Sequence, residues 1–473
     1  MGLIKRRYSS LTPLSFERDL SDRSCTFQKK RATLGFMVVV ENEIKSRAVG
    51  IAAPDRWAYA MGSFGTGVFS TVPSILLLYY TTQILGLAAA AISVIILLPK
   101  LVSLIWDPLV GLWSDSSRSQ FGRRKPFLLI GAIGTSVLFV ALFTPPDLAM
   151  IGLLVWVGLT YLMLSLLYSI FAVSYTAMPA DIAGEEDSIV SLIGARMMVL
   201  MVGILIGGAA TPILIAEFGG GRAGYSAMGM VVGTLALAFM LCPLFMRTRD
   251  RSRPQLQTAA RPAIGSAVSQ LRTVFSNPSY RPMLFAFILQ ALGYGGVSAA
   301  FPFLVTNVLG RPEADIGTGL GILIVLSFLF VPVWAHLGKR YGLVRMIVTA
   351  AIGYGIGTLA LAAISGSSGN WSLVLIFMAL CGAFFSGLQV LPFSLAADIA
   401  RRTAPAQEAQ YAGIWIAFEK AGLASGAFVL SLLMSIGEPG ETALLFTAVV
   451  PAMAMAFSLV FLNQAARSLT NQA

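Results

Sequence analysis

The chain has 473 residues, of which 56% are hydrophobic and only 12% charged, with a mean hydropathy of +0.79. That balance excludes an ordinary soluble domain, and a formal net charge of +11 leaves a membrane chain and a nucleic-acid binder to be told apart by where the cations sit. The three cysteines, Cys25, Cys242 and Cys381, show no metal-ligand or disulfide spacing and read as packing residues.

Residues 1–55 come first, polar and mixed in charge, and read as a disordered cytoplasmic tail. Their apolar run 36–40 is too short for a signal-peptide core. A helix crosses a bilayer with about 20 apolar residues. Twelve such segments follow, near 57–82, 88–113, 127–145, 149–178, 191–216, 225–246, 281–306, 315–337, 343–364, 371–395, 411–436 and 441–463. They are long and continuous, unlike barrel strands, which alternate over about 10 residues. The expectation is an all-α polytopic membrane protein. Lysine and arginine concentrate in the tail and in the loops 114–126, 247–281, 338–345 and 396–410, whereas the opposite loops hold only Arg222 and Arg311. This positive-inside pattern puts both termini in the cytoplasm. It assigns the net charge to topology and the lipid bilayer and argues against nucleic acid.

The second segment carries Lys100, Ser103 and Asp107 on one helical face. Lys100 and Asp107 are separated by about 10 Å along the axis, too far for a tight pair by themselves. An ionised group at the centre of a span costs roughly 2.5–3.5 kcal/mol unless it meets a cavity or a partner. Two readings stand: a cation or proton site, or a structural ion pair with Lys100 snorkelling to the interface. The loop that follows holds Asp115, Arg118, Arg123, Arg124 and Lys125. It reads as a gate in which Asp115 meets arginines or a helix N-terminus, or else as topology alone. Arg196, at the start of the fifth segment, either snorkels or clamps a polar solute with its fork of donors.

The chain then repeats itself. TTQILG, ending at Gly86, is echoed by VTNVLG, ending at Gly310. Ala180-Asp181-Ile182-Ala183 returns as Ala397-Asp398-Ile399-Ala400, and the basic loop around Gly122 returns as GKRYG, ending at Gly342. Three echoes in one order and at similar offsets imply two parallel six-helix halves, 56–246 and 281–465. A basic linker, 247–280, joins them, and a tail, 466–473, follows. Such halves place a solute site near the midplane between them, and Asp181 and Asp398 become matched latch candidates. His336, at the inner end of the eighth segment, reads as structural. The eleventh segment brings Glu419 and Lys420, adjacent and so about 100° apart around the helix. Lys420 lies deep in its span and needs a partner, for which Asp107 is the candidate and backbone carbonyls or water the alternative. No G-x-x-x-x-G-K-[ST] motif and no nucleophile–base or metal constellation appears, so neither ATP-driven transport by this chain nor an enzyme is expected. No cofactor is expected beyond a coupling ion.

GSFGTG in the first segment, LLYYTTQILGL at its end, WDPLVGLWSDSSRSQFGRRKPF, YTAMPADIA, ARMM and YAGIWIAFEKAG are similar to motifs of one family. Over roughly 57–463 the chain resembles the glycoside–pentoside–hexuronide:cation symporters of the major facilitator superfamily. The resemblance implies cation-coupled symport by alternating access. It further implies a small carbohydrate as solute, and a monomer in a bacterial-type cytoplasmic (inner) membrane. By it, Asp107 matches the second carboxylate of the family's cation site and Lys420 its helix 11 lysine. Lys100 stands at a basic position, Arg196 matches an arginine near the sugar, and Tyr175 matches an aromatic that stacks on the sugar ring. The departures are as specific. Ser103 replaces the first cation-site carboxylate and Trp106 a neighbouring asparagine. Gly67, preceded by Thr66, replaces one sugar-gripping acid, and Phe171 replaces the other. One carboxylate with one hydroxyl is a poor sodium site and an adequate proton site, so H⁺ is expected over Na⁺. The coupling set is Asp107, Ser103, Lys420 and Lys100, and the solute-binding set is Arg196, Tyr175, Thr66 and Phe171. A lysolipid or other amphipath, with Phe171 and Tyr175 lining an apolar cavity, is one alternative. A non-transporting assembly or regulatory protein on the same fold is another.

Overall fold

The computed structural model describes residues 52–246 and 272–470, except 118, 120–121, 183–185, 273, 368 and 404–407. The side chains at 104, 112, 115–116, 180–182, 186–191, 401, 408–410, 412–413 and 469–470 also lie outside the description. The expected N-terminal tail, most of the linker, Cys25, Arg118 and the side chains of Asp115 and Asp181 therefore fall outside the described residues.

Among the described residues, twelve helices are long and apolar enough to cross a membrane. They are α1 (Ala53–Ile84), α2 (Ala89–Gly111), α3 (Lys125–Phe143), α4 (Met150–Pro179), α5 (Leu192–Glu217) and α6 (Gly221–Phe245) before the linker. After it come α7 (Tyr280–Val308), α8 (Ala314–Tyr341), α9 (Leu343–Ser367), α10 (Trp371–Ala400), α11 (Ile414–Leu433) and α12 (Pro439–Ser468). In hydrocarbon every backbone polar group needs an internal partner, and a helix supplies one within its own segment. No strand occurs among the described residues. Large apolar side chains such as Ile151, Leu329 and Ile356 remain exposed, as lipid contact requires.

The most enclosed helices are α1 and α7, and glycine seams explain how neighbours reach them. A Cβ at Gly67 would stand 2.6 Å from the Leu200 carbonyl oxygen of α5, and one at Gly203 would run into the Phe64 carbonyl of α1. In the second half α7 meets α11 the same way: a Cβ at Gly295 would stand 2.7 Å from the Leu423 carbonyl oxygen. Small residues let backbones approach where lipid offers no hydrophobic drive.

The repeat has a backbone basis as well. α1 ends in a π turn, Tyr80–Ile84, and α7 ends in another, Leu304–Val308. Matching bonds close them: the Leu87 N–H donates to the Thr81 carbonyl at 2.9 Å, and the Arg311 N–H to the Val305 carbonyl at 3.0 Å. The echoed glycines all take positive φ, 70° at Gly86 and 61° at Gly310, 105° at Gly122 and 92° at Gly342. A side chain at any of them would be strained.

The halves meet along α1–α7, α2–α11 and α5–α8. Several contacts close the end away from the basic loops. The Tyr79 and Phe303 rings lie edge to face with centroids 5.2 Å apart. The Asn307 amide donates to Gln83 Oε1 at 3.3 Å, and the Ser431 hydroxyl donates to the Ala89 carbonyl at 2.5 Å. Gly317 of α8 lies directly against the Ala209 carbonyl of α5, where a side chain has no room.

Candidate functional site

Between the halves lies a cavity of about 410 Å³, walled by α1, α2, α4 and α5 on one side and by α7 through α11 on the other. Its size falls within the roughly 300–1,000 Å³ of small-molecule sites. Lys100 and Ser103 of α2 line it, as do Glu419 and Lys420 of α11. The Lys100–Ser103–Asp107 face of α2 thus turns toward the other half, as its spacing requires.

Asp107 lies one turn beyond Ser103 and takes Lys420 as its partner, with Lys420 Nζ donating to Oδ2 at 2.6 Å. The two side chains are 22% and 33% exposed, so the pair is sheltered without being sealed. Asp107 Oδ1 is buried with no hydrogen-bond partner among the described residues. An open acceptor oxygen of this kind can receive a proton, and protonation removes the charge that holds Lys420. The groups around it offer little to a metal ion. The Ser103 hydroxyl donates to the Lys100 carbonyl at 2.8 Å, within its own turn. Trp106 Nε1 donates to the Leu166 carbonyl at 3.0 Å, pinning α2 to α4 and supplying no ligand oxygen.

The residues expected to hold the solute are not on this cavity. Arg196, Tyr175, Thr66 and Phe171 gather inside the first half, among α1, α4 and α5. The Tyr175 hydroxyl donates to the Tyr59 carbonyl at 2.5 Å and lies 2.9 Å from the Ser63 hydroxyl. The Phe171 ring stacks on Tyr175 with centroids 5.2 Å apart. The Arg196 guanidinium lies 5.3 Å from the Tyr175 ring centroid and donates to the Thr176 hydroxyl at 3.3 Å. Thr66 donates to the Ser63 carbonyl at 2.9 Å. Phe171 and Tyr175 are fully buried, and the group's polar atoms are largely committed to neighbours in the same half.

Of the gate candidates, Arg124 is buried and donates to the Ser114 hydroxyl at 3.2 Å, with Arg123 half-buried beside it. Lys125 Nζ donates to the Leu244 carbonyl at 2.9 Å and the Met246 carbonyl at 3.4 Å, a cation on the C-terminal carbonyls of α6. Arg124 and Lys125 thus each have a hydrogen-bond partner in their own half. Asp398 pairs with Arg402, one turn on, at 2.8 Å. His336 is exposed near the end of α8.

Several lining residues escaped the sequence reading. Tyr161 and Tyr168 of α4, Tyr294 of α7 and Gln389 of α10 face the cavity, with serines on α1, α4 and α7. Tyrosines and serines are common in helix cores, so composition does not single these out. Glu419 did carry a signal, a carboxylate deep in an apolar segment, but its adjacency to Lys420 left the face it occupies open.

A family model described as MFS/sugar transport protein matches residues 58–462. Among curated relatives, the chain is 25% identical to the inner membrane symporter YicJ of Escherichia coli K12 over 56% of each chain. It is 27% identical to the uncharacterized symporter YjmB of Bacillus subtilis 168 over 68% of each. It is 23% identical to the isoprimeverose transporter of Lactiplantibacillus pentosus over 63% of each. The alignments span about half the length of the first of these relatives. Two solved structures share the fold. The nucleoside transporter NupG superposes with a TM-score of 0.67 at 12% identity, covering 87% of this chain and 99% of that one. A D-xylose–proton symporter superposes with a TM-score of 0.63 at 15% identity, covering 86% and 97%.

Proposed function

The chain belongs to the MFS/sugar transport protein family, and from that premise we propose that it is a cation-coupled symporter of a small carbohydrate. A glycoside is the solute, H⁺ is the coupling ion, and the two halves work by alternating access. The observation that carries this reading is the Asp107–Lys420 pair, which joins α2 to α11 at the edge of the cavity. While Asp107 is charged, the pair ties the halves together. Protonation releases Lys420 toward the cavity and loosens the tie. A solute held by both walls then travels as one half rocks against the other.

The single carboxylate, with one neighbouring hydroxyl oxygen at Ser103 and no ligand oxygen from Trp106, favours a proton over sodium. Hard cations take several oxygen ligands, and this site has few to offer. Ser70, Ser74, Ser165, Ser298 and Gln389 place hydroxyl and amide groups on a wall that is otherwise mostly apolar, so the cavity offers a sugar both hydrogen-bonding partners and apolar surface for its ring faces. Relatives described as an isoprimeverose transporter and a putative glycoside/cation symporter point the same way. With the far end closed, the solute's route leads toward the basic loops, the cytoplasmic side by the positive-inside pattern.

The test is uptake into proteoliposomes under separate pH and sodium gradients, across a panel of glycosides and lysolipids. Glycoside accumulation driven by the pH gradient and indifferent to sodium is the expected result. Accumulation driven by sodium alone, or lysolipid flux without glycoside flux, overturns the reading.

A further inference from the structure

We propose that Glu419, seconded by Tyr294, is the group that grips the solute's hydroxyls, and that the solute is a neutral glycoside with a free vicinal diol. The proposal rests on the symporter reading above and adds to it a site residue and a charge class.

Two positions of the first half offer the cavity no carboxylate. At Gly67 a Cβ would stand 2.6 Å from the Leu200 carbonyl oxygen and 2.8 Å from the Ile204 nitrogen. Both are backbone atoms of α5 and cannot turn aside, so this position carries no acid while α1 and α5 stay together. At Phe171 the side chain is fully buried, stacked on Tyr175 and pressed against Gly131 of α3. The first half therefore presents no acid to the cavity from these two positions.

The second half does. Glu419 is the carboxylate among the lining residues, and it comes from α11. Lys420 is held by Asp107, whereas the side chains of Glu419 and Lys100 have neither a hydrogen-bond nor an ion-pair partner among the described residues. The Tyr294 hydroxyl, also on the cavity, is buried without a partner and lies within electrostatic reach of Glu419. Buried polar groups left unpaired in a protein's own structure call for an explanation, and a ligand that pairs them is one.

The chemistry defines that ligand. A carboxylate has two acceptor oxygens and takes two neighbouring O–H donors at once, by charge-assisted bonds roughly twice as strong as neutral ones. The Tyr294 hydroxyl both donates and accepts, so it serves a third hydroxyl or a ring oxygen. Across the cavity, the Lys100 ammonium offers donors only. The free charges on the lining are one carboxylate and one ammonium while Lys420 stays paired with Asp107. A uronate or sulfonate would bring a second anion against Glu419 and is disfavoured.

The experiment uses the full chain in proteoliposomes and measures counterflow of neutral glycosides, their singly deoxygenated analogues and the matching uronic acids. Glu419→Gln is expected to raise the KM for the neutral glycoside about ten- to a hundredfold, the range for a hydrogen bond to a charged group. The pH gradient still drives what uptake remains, so the loss lies in solute affinity and not in coupling. The penalty for removing the gripped hydroxyl, large in the wild type, disappears in the variant. Tyr294→Phe is expected to raise the same KM by several-fold and serves as the independent probe should Glu419→Gln misfold. An unchanged KM in both variants, while the wild type still carries glycosides, overturns this proposal and leaves the symporter reading standing. Counterflow kept at wild-type KM with accumulation lost would make Glu419 a coupling group and overturn it equally. No glycoside counterflow by the wild type overturns both.

Discussion

Asp107 and Lys420 each carry a charge that a bilayer-spanning helix does not tolerate alone. Removing one partner of a fully buried pair costs about 3–5 kcal/mol, because the other charge is left stranded. This pair is 22% and 33% exposed, so a smaller loss is expected here. Asp107→Asn should lower the melting temperature, and the double variant Asp107→Asn/Lys420→Gln should recover most of that loss in the same thermal assay. In transport, Asp107→Asn should abolish uphill accumulation while sparing counterflow, because exchange needs no net movement of the coupling ion. Wild-type accumulation by the variant would remove Asp107 from the coupling step. Ser103→Asp tests the ion itself. It places a second carboxylate one turn from Asp107 on the same face, and sodium should then stimulate uptake. Transport that stays indifferent to sodium would rule out this geometry as a cation site. The pairing of Asp107 with Lys420 was legible in the sequence, because two lone opposite charges in apolar segments have few other places to go. The separation of Tyr175 and Arg196 from the cavity was not. An aromatic beside an arginine looks the same in sequence whether it faces a solute or, as here, a neighbouring helix of its own half.

At the level of the helices, close approach governs what a position can carry. Gly67→Asp, which restores the acid of the resembled family, should fail to strengthen sugar binding and should destabilise the fold. Overpacking typically costs about 1–3 kcal/mol, and the obstacle here is α5 backbone, 2.6 Å from the new Cβ at its nearest. A thermal shift together with an unchanged counterflow KM checks this. The number and order of the helices were legible because hydrocarbon demands long apolar runs. The seams were less so. Which helix a glycine meets depends on tertiary contacts that no single segment encodes. The echoed glycines were legible as repeats, and their positive φ supplies the physical reason for the repetition.

For the whole molecule, the closed end carries a titratable group outside the spans. Glu313, just ahead of α8, is held above the usual carboxylate pKa by burial, with the Tyr79 hydroxyl of α1 pulling it partly back. One of its carboxyl oxygens is buried without a partner among the described residues. The protonated form is therefore the one this closed arrangement favours. Its contribution is fully present below the ordinary carboxylate pKa of 4.5 and is lost as pH rises through the raised value. Closure of this end should weaken over that window, and Glu313→Gln should flatten the dependence. Labelling of Ser74→Cys, on the cavity wall, from the Gly86 side in a chain free of Cys25, Cys242 and Cys381 reports it. Labelling independent of pH in both backgrounds would exclude the effect.

Gln83 and Asn307, hydrogen-bonded at that end, stand 224 residues apart, the spacing that also separates Tyr79 from Phe303 and the two π turns. A residue that meets its own counterpart does so only on a two-fold axis, as in the self-complementary contact of a homodimer. These pairs therefore mark where the axis relating the two halves leaves the molecule. They have the form of a subunit contact held inside one chain, with Tyr79 answering Phe303 and Gln83 answering Asn307. Such a contact has no handedness of its own. Exchanging the partners, Gln83→Asn with Asn307→Gln, should leave transport near the wild type, whereas Gln83→Leu alone should not.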